Sequence, residues 1–259
     1  MREFKRLLIC ISFSTRFPVN IGYVETEEMS ASSFYYGTVG LIIGLFEYTI
    51  YFIMHLLFPK DVSILSAMFF VQLFTSFMNL DGLTDTCDGI LSGRSNREKI
   101  FEIMKDSRIG VVGTAVVVFT ILFKYKFYSV FSENFNEKVI LIAFILVEML
   151  SKASVYPSFL ASHPAHSGSR LGSLFLGKMS KKRFIFAFFI TIMVSFLVGK
   201  FLGIALCFAA FLYGFIAMKL FERQLGGMTG DVLGFIVETS QCILLSLMYI
   251  LILYNRVIL

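Results

Sequence analysis

Cysteine and charge are both scarce in this chain. The four cysteines, Cys10, Cys87, Cys207 and Cys242, are scattered without a CxxC pair. That spacing indicates neither a disulfide framework nor a zinc site. Only 16% of the 259 residues are charged, whereas 57% are hydrophobic and the mean hydropathy is +0.79. Soluble domains sit near about 45–50% apolar residues, so this is not a soluble composition. The sequence has no internal repeat, low-complexity tract or flexible linker, and a second domain is not expected. Residues 1–10 are basic and then apolar, too short for a span and without a small-residue cleavage site after them. They read as an amphipathic lead-in segment rather than a signal peptide. The net charge of +5 comes mainly from loop Lys and Arg. In a membrane protein such a balance reports orientation and anionic lipid, which argues against a nucleic-acid polymer as partner.

What the chain does have is a succession of apolar windows of about 20 residues, the length that crosses a bilayer as helix. The spans fall at 38–58, 62–80, 109–123, 139–161, 184–199, 201–221 and 232–254. The expected fold is all-α: a polytopic transmembrane helical bundle of about seven spans, with a short cytoplasmic helix near 96–106. Residues 1–259 form one integral membrane domain. The boundary at Gly199-Lys200 admits either two crossings or one tilted helix with a re-entrant piece. The third span stops short of Lys124 and Lys126, which are expected to snorkel. The N-terminal segment and the loops 81–108, 162–183 and 219–231 share one side and hold most of the 23 Lys and Arg. The other side has Lys60, Lys124, Lys126, Lys138, Lys200 and Arg256. The positive-inside rule therefore places the N-terminus and the polar loops in the cytoplasm.

Three aspartates stand out. Asp81, Asp85 and Asp88 are spaced i, i+4, i+7. On a helix they fall within a roughly 60° arc. Carboxylates so placed repel one another, and at a helix C-terminus they oppose the macrodipole as well. A hard divalent cation such as Mg²⁺ would relieve this, and at a membrane surface it suggests metal-assisted chemistry on a phosphate. A solvated acidic helix end is the bland alternative. Ser95 with Glu98 reads as a capping box that starts the cytoplasmic helix. That helix ends in Lys105-Asp106-Ser107-Arg108, where Lys105 and Arg108 suit phosphate oxygens and Asp106 suits a metal shell. Ordinary membrane flanking explains the same residues. Gly226-Gly227-Met228-Thr229-Gly230-Asp231 precedes the last span and offers backbone N–H groups to an anion. Asp231 is either the N-cap of that span or a further ligand near Asp85 and Asp88.

Glu47, Glu148, Lys152 and Glu238 lie inside spans, where charge is expensive. Glu148 and Lys152, at i and i+4, are expected to pair, Glu238 is expected to face the Asp231 cavity, and Glu47 has no evident partner. His163 and His166 read as loop polarity before zinc ligands. An ion-coupled transporter using the intramembrane carboxylates is another class of reading.

Ser14-Thr15-Arg16-Phe17-Pro18-Val19 and Tyr36-Gly37-Thr38-Val39-Gly40-Leu41-Ile42-Ile43-Gly44 resemble the N-terminal signature of cobalamin 5′-phosphate synthases. Asp81-Gly82-Leu83-Thr84-Asp85-Thr86-Cys87-Asp88-Gly89-Ile90, followed by residues 102–110, is similar to that family's central motif, and residues 226–234 to its C-terminal one. The likeness runs from about residue 14 to 240. One departure is residues 156–164, which stand where a proline–alanine–arginine run is expected and which Arg170-Leu171-Gly172 partly restores. The resemblance implies an adenosylcobinamide-GDP ribazoletransferase of the cell inner membrane. A ribose hydroxyl of α-ribazole, or of its 5′-phosphate, attacks the cobinamide-bearing phosphorus, and GMP leaves. It implies a divalent cation, usually Mg²⁺, for which Asp81, Asp85, Asp88, Asp106 and Asp231 are the candidate metal ligands, unless one of them serves as the base instead. Asp85, Asp88 and Lys105 would be catalytic, with Asp85 first choice as base. Arg108, Gly227, Thr229, Gly230 and Arg16 would be substrate contacts. Membrane lipid is the surrounding partner, and a homo-oligomer is neither required nor excluded. The Asp85-x-x-Asp88-Gly89 core also resembles CDP-alcohol phosphotransferases, whose second aspartate pair is missing here.

Overall fold

The structure is a computed structural model that describes residues 2–93, 96–106, 108, 110–165 and 174–254. Ser95, Ser107, Ile109, His166, Arg170, Leu171, Gly172 and Arg256, named above, lie outside these. Eleven helices are formed among the described residues, and there is no strand. They are α1 Arg2–Ser14, α2 Thr26–Ser32, α3 Tyr36–His55, α4 Lys60–Phe74, α5 Met78–Ile90, α6 Arg97–Met104, α7 Val111–Asn134, α8 Glu137–Ala153, α9 Tyr156–Ala161, α10 Lys181–Leu225 and α11 Gly230–Tyr254.

The amphipathic lead-in forms α1, stapled to α2 where Arg2 Nε and Arg6 Nε donate to the two Glu28 oxygens at 2.7 and 2.8 Å. Helix α8 is the core, with 94% of its apolar window buried by the helices around it. The outer helices turn phenylalanines such as Phe69, Phe119, Phe189 and Phe215 outward, as a lipid-facing surface requires.

Three helices depart from the expected spans. The second span breaks at Thr75-Ser76-Phe77, and α4 and α5 meet at 85°. Ser76 and Phe77 both take the left-handed conformation there, with φ of 59° and 55°. Asp81 consequently lies in the first turn of α5, where the macrodipole favours a carboxylate, and not at the C-terminal end of a continuous span. The third span does not stop at residue 123. It runs to Asn134, because Lys124 does not snorkel but is buried with internal partners. Helix α10 is two helical arms that meet at Lys200, whose φ and ψ of 51° and −136° are not helical and reverse the chain. Phe188 packs on Phe208 and Phe211, with ring centroids 5.8 and 4.8 Å apart. In a straight helix these residues would be about 30 Å or more apart, so the two arms form a hairpin. The hairpin supplies two passes, and with the bent α4–α5 pair the count of about seven is recovered.

The passes alternate in direction. Lys60, Ser132 and Glu137 meet at one end, where Lys60 Nζ donates to the Ser132 carbonyl at 2.6 Å. The ends of α5, α9 and α10 and the starts of α7 and α11 gather at the other.

Candidate functional site

The aspartate helix α5 lies along the start of α11. A Cβ at Gly82 would stand 2.6 Å from the Asp231 carbonyl oxygen and 3.0 Å from its Cα, so only glycine allows this approach. Asp81 and Asp85 flank Gly82 in sequence; Asp81 is exposed, while Asp85 and Asp231 are half-buried. The outer turn of α5 thus brings the central and C-terminal motifs into one place.

Asp88 holds a different position. Its Oδ2 accepts from the Gly110 N–H and its Oδ1 from the Gly113 N–H, both at 2.8 Å. These are the amides of the N-cap residue and of the first turn of α7, so Asp88 caps that helix from a neighbouring one, at its positive end. Helix α6 packs between: Gly89 faces Ile100 and Met104. Its N-cap is Asn96, whose side-chain oxygen accepts from the Glu98 N–H at 2.9 Å, in place of the Ser95 capping box expected from sequence. Beyond α6, Lys105 is exposed. Asp106 folds onto Arg108, whose Nη2 donates to its Oδ2 at 2.7 Å. That guanidinium, with the Arg108 backbone N–H, holds the Asp106 carboxyl down to about 2.

The glycine loop is tied down on both flanks. Gly226 ends α10 in the left-handed conformation. Arg97 of α6 donates to the last carbonyls of α10, those of Arg223 and Gln224, both at 3.0 Å. On the other flank the Met228 N–H donates to the His163 carbonyl at 2.8 Å, and the Ala165 N–H to the Met228 carbonyl at 2.9 Å. Gly227 has a φ of 154°, and a Cβ there would lie 2.7 Å from Ala165 Cα. Thr229 Oγ1 accepts from the Val232 N–H at 3.2 Å and so caps α11. Asp231 lies in the first turn and is not the N-cap. Arg16 sits at the α4–α5 bend, its Nε donating to Ser76 Oγ at 2.8 Å and its N–H to the Phe74 carbonyl at 2.7 Å.

All the motif segments therefore reach one end of the bundle. The sequence reading missed the part played by Arg97 and by the His163–Ala165 strap; a lone Arg at a helix start and a His-Pro-Ala run carry no spacing signal. Glu238 does not face this end. It pairs with Lys124 in the bundle interior at 2.6 Å, while Glu148 and Lys152 pair as expected, at 3.6 Å.

Among the described residues no three His, Cys, Asp or Glu side chains gather closely enough to hold an ion by themselves. The donor type nonetheless suits Mg²⁺, which takes one or two carboxylates and completes its shell with substrate phosphates and water. Asp81, Asp85 and Asp231, around the Gly82 contact, are the carboxylates placed to contribute. Asp88 has each oxygen on an α7 amide and Asp106 is paired with Arg108, so either would reach an ion through the lone pairs those bonds leave.

The sequence profile of the family described as Cobalamin-5-phosphate synthase matches residues 6–249. A protein of Clostridium novyi named adenosylcobinamide-GDP ribazoletransferase is 35% identical over 92% of this chain and 94% of its own. A protein of the same name from Thermoanaerobacter pseudethanolicus is 31% identical over 93% of this chain and 95% of its own. No solved structure matches.

Proposed function

The chain belongs to the cobalamin-5-phosphate synthase family, as a membrane-embedded transferase of cobalamin biosynthesis, and from that premise we propose how its motif end works. It joins adenosylcobinamide-GDP to α-ribazole or α-ribazole 5′-phosphate. The ribose hydroxyl oxygen forms a bond to the phosphorus that carries cobinamide. The bond from that phosphorus to the GMP oxygen breaks, and GMP leaves. Phosphoryl-type transfer needs placement and charge neutralisation more than covalent help, and the motif end is built for both.

Asp85 takes the hydroxyl proton as the attack proceeds. Asp81 and Asp231 would hold Mg²⁺, which when bound would neutralise pyrophosphate charge and ease departure of GMP. Lys105 and Arg108, exposed beside the start of α7, bind phosphate oxygens. The backbone of residues 227–230 and the Thr229 region cradle a phosphate at the α11 N-terminus. Arg16 contributes a further cation from the α4–α5 bend. Asp88 keeps α7 and α5 in register so that Arg108 and Asp85 face one substrate. The observation that carries this reading is the Gly82–Asp231 contact, which sets the two acidic motifs side by side. The motif end faces the cytoplasm, the compartment that supplies nucleotide and Mg²⁺.

The test is turnover by purified protein in detergent or liposomes, with adenosylcobinamide-GDP and α-ribazole, following GMP and cobamide. Product that requires Mg²⁺ and vanishes with EDTA supports the assignment. Product undiminished by EDTA removes the metal from it, and no product from folded protein overturns the reaction.

A further inference from the structure

Inside the bundle, away from the aspartates, a polar network leaves one carboxylate over. Lys124 of α7 contacts Glu238 at 2.6 Å and donates to Gln241 Oε1 at 2.8 Å. Gln241 Nε2 donates to Glu148 Oε1 at 2.7 Å, and Lys152 lies 3.6 Å from Glu148. Each ammonium thus has its own carboxylate. Glu47 of α3, only 3% exposed, is a third carboxylate, and its Oε2 has no hydrogen-bond partner. It opens on a cavity of about 120 Å³ whose walls are largely apolar, from Leu65 to Ile121, and whose other polar side chains are Gln72, Lys124, Tyr128, Glu148 and Gln241. Gln72 Oε1, on α4 and lining the same cavity, is a second buried acceptor without a donor.

Two orphan oxygens in one small cavity, one of them on a third carboxylate that no ammonium answers, describe the surroundings of a cation. We propose that this cavity binds one small monovalent cation, Na⁺, through Glu47 Oε2 and Gln72 Oε1. A single positive charge balances three carboxylates against two ammonium groups, whereas a divalent ion would leave a buried excess of positive charge. Carboxylate and amide oxygens are donors of the type a hard ion takes. The site has a structural consequence. The Gln72 carbonyl accepts from the Phe77 N–H at 2.8 Å, so an ion on Gln72 fixes the bend that aims α5 and its aspartates.

The test is thermal unfolding of detergent-purified protein at constant ionic strength and pH, with NaCl replaced by KCl or choline chloride, together with ²²Na⁺ binding. The expected result is a saturable rise of the midpoint in Na⁺ over choline and one ²²Na⁺ bound per chain. Glu47→Gln, which removes the surplus charge, is expected to lose both. Gln72→Leu is expected to weaken the apparent Na⁺ affinity on the order of tenfold, the effect of losing about 1.4 kcal/mol. Identical midpoints in Na⁺ and choline with no ²²Na⁺ bound would overturn the site and leave Glu47 carrying a proton. Full Na⁺ response in a folded Gln72→Leu or Glu47→Gln variant would overturn the assignment equally. If Glu47→Gln fails to fold, wild-type ²²Na⁺ binding and Gln72→Leu still decide.

Discussion

Asp88 shows how a motif residue takes a role from its neighbours. Two amides of α7 close on its two oxygens, so the carboxylate works as a cap as well as a charge. Asp88→Asn keeps the size but turns one acceptor into a donor facing an N–H. The expected cost is about 1–2 kcal/mol, the range of a lost cap, read as a lower unfolding midpoint together with reduced turnover. An unchanged midpoint would show that the cap carries no stability. Lys124 is the harsher case. Lys124→Met strands Glu238 without its cation in a site where both side chains are buried. Breaking such a pair costs about 3–5 kcal/mol. The double variant Lys124→Met with Glu238→Gln should recover part of that, and a single variant as stable as the wild type would count against the pair. At Asp106 the sign runs with acidity. Its folded value of about 2 lies below the usual carboxylate value of 3.8. Whatever the Arg108 pair contributes is therefore present above about pH 4 and lost as pH falls toward 2. Arg108→Gln should raise the Asp106 value, observable by NMR titration.

At the scale of elements, two glycines set distances that side chains would spoil. Gly82→Ala pushes α5 off α11, and Gly227→Ala pushes the glycine loop off the Ala165 strap. Displacements of this kind are worth on the order of 10²-fold in rate when they move reacting groups by about 1 Å. Each variant should therefore lose turnover of that order while remaining folded; full activity in Gly82→Ala would separate the two acidic motifs functionally. The elements also show what could be read from sequence. Most spans were legible because hydropathy is local, and Gly199-Lys200 marked a break in α10 without deciding between two crossings and a re-entrant piece. The bend at Thr75-Ser76-Phe77 was not legible, since it contains neither Gly nor Pro and relies on left-handed Ser and Phe held by tertiary contacts. The motif aspartates were visible as a helical face. Their division was not, because the amides that claim Asp88 come from α7, 22 and 25 residues further along the chain.

For the whole molecule, about seven alternating passes gather the motif segments at one end and the Lys60–Glu137 contact at the other. Lys124 reads as a membrane-flanking charge in sequence because its partner Glu238 is 114 residues away. Only the assembled bundle assigns it to the interior. The same assembly fixes which loops share a compartment. Arg97, bonded to the Gln224 carbonyl, and His163, whose Nε2 lies 3.1 Å from the Gly226 carbonyl, belong to one end. Lys60 and Glu137 belong to the other, with the Lys200 reversal. Single cysteines at Arg97 or His163 and at Lys60 or Lys200 should therefore label in opposite patterns with a membrane-impermeant maleimide on intact cells. The first pair should react only after permeabilisation and the second pair before it. The background is manageable, since Cys10, Cys87 and Cys207 are buried and Cys242 is half-buried. Labelling of Lys200 and His163 positions from the same side would break the hairpin reading of α10, because an odd number of passes between them is what the Phe188–Phe211 contact requires.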